Sequence, residues 1–109
     1  MTEQQIQNKI IKYLKTISYV VKIISATKAG VLDVIVCYKG RFIAFEVKTP
    51  DTKDDTSDLQ EYNISEIIKN GGLAFVVWEL NQVKEIIKGL EKWKWLRWNY
   101  QKNKKQLSV

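Results

Sequence analysis

The sequence predicts an α/β (α+β) domain: a mixed sheet flanked by helices, in the order αβββαβα. Three observations carry this. Apolar residues recur at helical spacing in three segments, strand-like apolar runs fall between them, and Lys39-Gly40 separates two of those runs by a hairpin-sized gap. With 109 residues, 45% hydrophobic and 28% charged, the chain suits one globular domain.

Thr2-Glu3-Gln4-Gln5 fits a capping box, with Thr2 as N-cap and Gln5 three residues on. Behind it Ile6, Ile10, Leu14 and Ile17 keep helical spacing, so a first helix is expected over residues 3–16. Glu3 falls near the apolar face of that helix. A first-turn acid also simply complements the helix dipole, and the spacing leaves both roles open.

Tyr19–Ser25, Leu32–Tyr38 and Phe42–Lys48 are rich in β-branched and aromatic residues and read as strands. Pro50 ends the third, because it cannot donate to a ladder. After the polar loop at 51–58, Ser57 or Asp58 caps a helix reaching about Asn70, with Leu59, Tyr62, Ile64, Ile67 and Ile68 apolar. Gly71-Gly72 stops it. Leu73–Trp78 is nearly all apolar, as expected of a strand covered on both faces. A last helix starts at Asn81 and turns Val83, Ile86, Ile87 and Leu90 inward as far as about Glu91.

No apolar run is long enough to span a bilayer, and TEQQIQNK does not read as a signal peptide. The lone Cys37 forms no internal disulfide, and a buried thiol in a cytoplasmic protein is expected. There is no histidine, which excludes Ser-His and Cys-His nucleophile systems and the usual Cys/His zinc sites. Any chemistry must come from carboxylates, lysines and amides, with hard, oxygen-seeking cations as the natural cofactors.

A two-residue turn at Lys39-Gly40 would pair Tyr38 with Arg41, Cys37 with Phe42, Ile35 with Ala44 and Asp33 with Glu46. Period-two alternation then puts Lys48 on the same face. Two carboxylates about 5 Å apart repel by roughly 3 kcal/mol at an effective dielectric of 20. Lys48 offsets part of that cost, and a divalent cation would offset more. A three-residue turn would instead separate the pair, leaving Asp33 at an exposed strand end and Glu46 and Lys48 on a solvated face.

Glu3 in a first helix, Gly30-Val31-Leu32-Asp33, Glu46-Val47-Lys48 and Gln60 opening the next helix together resemble the PD-(D/E)XK nuclease pattern. More narrowly, GRFIAFEVKTP, then LQ, a helix and NGGLAFVV resemble the VRR-NUC branch over residues 2–90. Leu32 stands where that pattern usually has proline, a position that supplies no ligand. The resemblance implies a restriction-endonuclease-like core and Mg²⁺- or Mn²⁺-dependent hydrolysis of DNA phosphodiesters, with no small-molecule cofactor and no membrane. Asp33, Glu46 and the Val47 carbonyl would ligate the metal, and Glu3 would join directly or through water. Lys48 would activate the attacking water or stabilise the transition state, and Gln60 would orient that water or Lys48. Small stand-alone members, mostly from phages and bacteria, tend to be homodimers that cut branched DNA such as four-way junctions. The alternative is a non-catalytic nucleic-acid-binding module on the same fold, and a third reading is a protein-interaction domain built on the tail.

All of the net charge of +6 lies beyond residue 91, since 12 of the 18 basic residues precede that point and offset the 12 acids. The tail 92–109, set apart from a domain at 1–91, reads KWKWLRWNYQKNKKQLSV. Lys92, Lys94, Arg97, Lys102, Lys104 and Lys105 are candidate DNA contacts, with Lys28 a further one in the body of the chain. Trp93, Leu96 and Tyr100 also fit helical spacing, so part of the tail suits packing on the domain or a second subunit. A membrane-surface helix is disfavoured by its short apolar face.

Overall fold

The computed structural model describes residues 1–92. Helix α1 (Glu3–Lys15) starts at the expected box: Thr2 Oγ1 accepts from Gln5 N at 3.2 Å, and Thr2 N donates to Gln5 Oε1 at 2.8 Å. Strands β1 (Tyr19–Lys22), β2 (Val34–Tyr38) and β3 (Arg41–Val47) follow, then α2 (Asp58–Lys69) and β4 (Leu73–Val77). A third helix, α3, begins at residue 80 and is still helical at residue 92, past its expected end.

The sheet order is β1-β2-β3-β4, with the first two pairings antiparallel and the last parallel. A mixed sheet is forced by the connections, since β3 and β4 are joined by a helical crossover. The β2–β3 turn contains two residues, and both have left-handed backbones: φ is 46° at Lys39 and 84° at Gly40. That geometry matches the twist of the flanking strands and sets Tyr38 opposite Arg41 and Ile35 opposite Ala44.

Alternation along β3 divides the core. Ile43, Phe45 and Val47 pack with Ile6, Ile10 and Leu14 of α1 and with Val83, Ile87 and Leu90 of α3. Ala44 faces the other way and meets Ala74, Leu32, Ile64 and Ile67. Two alanines on neighbouring strands let α2 lie close to the sheet. Glu46 and Lys48 share the parity of Ala44, so they belong to the α2 face.

Several expectations are corrected. β2 starts at Val34 because Leu32 turns under α2, where it is 1% exposed. β1 ends at Lys22, since after the Ile23 N to Asp33 O bond (2.8 Å) its partner leaves, and Ile24 is exposed. Among the described residues β4 is an edge strand, with nothing paired to its outer side and Leu73, Phe75 and Val76 only half-buried. Cys37 is exposed, not buried: it faces the α2 side of the sheet near the hairpin tip, beyond the reach of α2, as do Tyr19 and Phe42 opposite it. On α2, Leu59, Tyr62 and Ile68 are exposed, and the buried position facing inward is Asn63.

Candidate active site

The Asp33–Glu46 pairing lies one rung beyond the β2–β3 ladder, whose last pair is Val34 with Phe45. Asp33 is held there from both sides. Its carbonyl accepts from Ile23 N at 2.8 Å, and its Oδ2 accepts from Val47 N at 2.8 Å. Odd residues of β3 turn their backbone groups toward β2, and even ones toward β4, as the Lys48 N to Val77 O bond (2.8 Å) shows. The N–H and C=O of one strand residue point to the same edge, so the Val47 carbonyl also faces the Asp33 side.

The loop before Asp33 is anchored to α2. Gly30 has φ +78° and lies so close to Leu59 that a Cβ would meet its backbone at 2.6 Å. The buried Asn63 donates from Nδ2 to Ala29 O at 3.0 Å and to Leu59 O at 2.8 Å. Sequence reasoning missed Asn63, whose only signal was a polar residue between the apolar positions Tyr62 and Ile64. The same helix carries Gln60 at its third position. Its Oε1 accepts from Ser57 N at 3.1 Å in the capping box, which leaves the amide nitrogen available to the site.

Glu46 is the centre of the cluster. It is 3% exposed, with Lys48 Nζ 3.6 Å from Oε2, while Oε1 is buried without a hydrogen-bond partner. Its carboxyl is pushed up from 4.5 to about 7. Burial is the main cause and the neighbouring Asp33 charge the second, with Lys48 opposing and the nearby Gln60 amide favouring the ionised form. An unpartnered buried oxygen beside a second carboxylate is a site short of positive charge.

Of the predicted residues, Asp33, Glu46, Lys48 and Gln60 come together at one end of the α2 face. Glu3 does not join them: it is exposed in the first turn of α1, a helix packed on the opposite face. Among the described residues no group of three or more Asp, Glu, Cys or His side chains is gathered to hold a metal. A cation would therefore rest on Asp33, Glu46 and the Val47 carbonyl, completed by water and phosphate oxygens. That all-oxygen set fits Mg²⁺, which keeps several waters and takes one or two carboxylates. Lys28 is exposed, with Nζ 5.8 Å from the Tyr62 ring centre. Lys92 is the last described residue, and Lys94, Arg97, Lys102, Lys104 and Lys105 lie outside the described part.

A solved structure described as a VRR-NUC domain matches this chain with a TM-score of 0.68 and 24% sequence identity. The match covers 81% of this chain and 97% of that domain. No protein-family model matches the chain, and no curated protein does. The chain thus has the fold of a VRR-NUC domain. No described helix is long and apolar enough to cross a membrane.

Proposed function

We propose that this domain is a Mg²⁺- or Mn²⁺-dependent endonuclease that hydrolyses DNA phosphodiesters, selects branched DNA and works as a homodimer. The observation that carries the reading is Glu46: buried, with an unpartnered Oε1, and set beside Asp33, Lys48 and Gln60. Pure binding of a polyanion would gain nothing from paired carboxylates turned toward it. The fold match to a VRR-NUC domain supports the same class of chemistry.

Asp33, Glu46 and the Val47 carbonyl would hold the cation. When bound, it supplies positive charge to the phosphate and makes a nearby water more acidic. Lys48 acts from the same face, its ammonium lying where charge grows on the phosphate oxygens. The Val47–Asp33 hydrogen bond keeps that carboxylate from rotating away. Gln60 orients the attacking water or Lys48 through its amide nitrogen. Glu3, exposed in the first turn of α1, would take part only through water. Residues 1–91 form the catalytic unit. Lys28, Lys92 and the basic residues of 92–109 hold the DNA backbone.

The test is incubation of the purified protein with linear duplex, single-stranded, flap and four-way-junction DNA in Mg²⁺, Mn²⁺ or EDTA. Cutting that needs a metal and is lost in Glu46→Ala is the expected result, with the junction cut fastest. If no substrate is cut with either metal, or Glu46→Ala cuts as well as the parent, the hydrolytic reading fails. Junction binding that persists without cutting would then favour a non-catalytic binding module. Light scattering at working concentration checks the dimer.

A further inference from the structure

β3 and β4 run out together beside the carboxylates, and Trp78 follows their last rung, the Lys48 N to Val77 O bond at 2.8 Å. Its backbone is fixed. Gln82 Oε1, in the first turn of α3, accepts from Trp78 N at 2.7 Å and from Glu79 N at 3.1 Å. The indole is only half-buried, and Lys53 Nζ lies 5.2 Å from its ring centre. Against it opens a cleft of about 330 Å³ whose walls include Ile6, Lys9, Pro50 and Glu79. Lys9 and Lys53 are both exposed, and Glu79 is the acid on this wall. An accessible indole on a hydrogen-bonded backbone, flanked by two exposed ammonium groups, is the chemistry that holds a base by stacking and its phosphates by charge.

We propose that this cleft is a nucleotide subsite: Trp78 stacks on one unpaired base of a nucleic-acid strand, and Lys53 and Lys9 contact the adjoining phosphates. Its biological meaning rests on the hydrolytic reading of the neighbouring carboxylates, but the binding needs neither metal nor cleavage. Lys53 is exposed, so it yields the ring face to a base and turns to the phosphate. The subsite opens on the α1 side of the sheet end, one residue beyond Val77, the backbone partner of Lys48. A base must be unpaired to stack on the indole, which makes the subsite a reader of single-stranded character.

The test is fluorescence anisotropy of a labelled single-stranded oligonucleotide in EDTA, with the parent protein, Trp78→Ala, Trp78→Phe and Lys53→Ala. Circular dichroism melting checks that each variant is folded. Trp78→Ala should bind about tenfold more weakly, as expected for one lost stacking contact. Trp78→Phe, which keeps an aromatic face, should recover most of the loss. Lys53→Ala should weaken binding and lower the salt dependence by about one counterion. A folded Trp78→Ala that binds as tightly as the parent overturns the subsite, as does a Phe variant no better than Ala. If Trp78→Ala does not fold, Trp78→Phe and Lys53→Ala both binding like the parent overturns it. A free nucleoside monophosphate that binds as tightly as the strand would overturn the strand assignment. Cleavage assays keep the two readings apart. A parent protein that cuts nothing but binds through Trp78 keeps the subsite and loses hydrolysis. A parent that cuts, with binding and KM unchanged in Trp78→Ala, does the reverse.

Discussion

Val47 N donates to Asp33 Oδ2 at 2.8 Å, so a side chain supplies the hydrogen bond that β2 can no longer offer. β3 runs past the end of β2, and its last inward-facing amide would otherwise be unpaired. One carboxylate thus completes the sheet and, in the proposed reading, also holds a cation.

The two roles separate by substitution. Asp33→Ala leaves the Val47 amide without its partner and should cost about 1–3 kcal/mol in urea unfolding. Asp33→Asn keeps an acceptor oxygen and should be clearly more stable than the alanine variant. Both should lose metal-dependent cleavage. Equal stability of the two variants would refute the capping role.

Glu46 makes stability depend on pH in the metal-free protein. Its carboxyl titrates near 7 folded and near its ordinary 4.5 unfolded, so between those values the folded chain binds more protons. Stability therefore falls as pH rises from about 4.5 to about 7, by on the order of 2–3 kcal/mol. Glu46→Gln should remove that slope, and added Mg²⁺ should weaken it by favouring the ionised form. Melting temperatures in EDTA across this range check it.

Lys48 is the cation that partly stabilises ionised Glu46, at 3.6 Å. Lys48→Met should raise the Glu46 titration further, visible in carboxyl carbon chemical shifts. Cleavage should drop by about 10²–10³-fold, the usual cost of one well-placed electrostatic group. Binding of Mn²⁺ should survive, because no ligand is removed.

Gly30 and Gly40 both have left-handed backbones, with φ +78° and +84°, but only Gly30 is crowded. Gly40→Ala meets nothing within 4 Å and should cost about 1 kcal/mol from backbone strain alone. Gly30→Ala drives a Cβ into the Leu59 backbone and should cost several times more, while also moving the loop that carries Asp33. Thermal unfolding compares them, and equal losses would remove the packing argument.

Sequence alone determined what local rules control. Thr2 and Gln5 form their box, and Ser57, one of the two expected caps, caps the second helix. Lys39-Gly40 turns in two residues, which places Asp33, Glu46 and Lys48 on one face. Each of these depends on neighbours a few residues apart, so spacing and turn chemistry suffice.

Tertiary structure decided which apolar and polar positions are covered. Cys37 and Phe42 carry strand patterns that suit burial, yet α2 leaves their row open. Asn63 is buried because the loop at Ala29 meets it across 34 positions of sequence, a contact no periodicity encodes. Glu3 has the spacing for the sheet-facing side, but α1 lies on the face opposite Glu46. Which layer a helix joins depends on packing between distant segments. Hydrophobic periodicity says that a face is buried, and only the assembled sheet says against what.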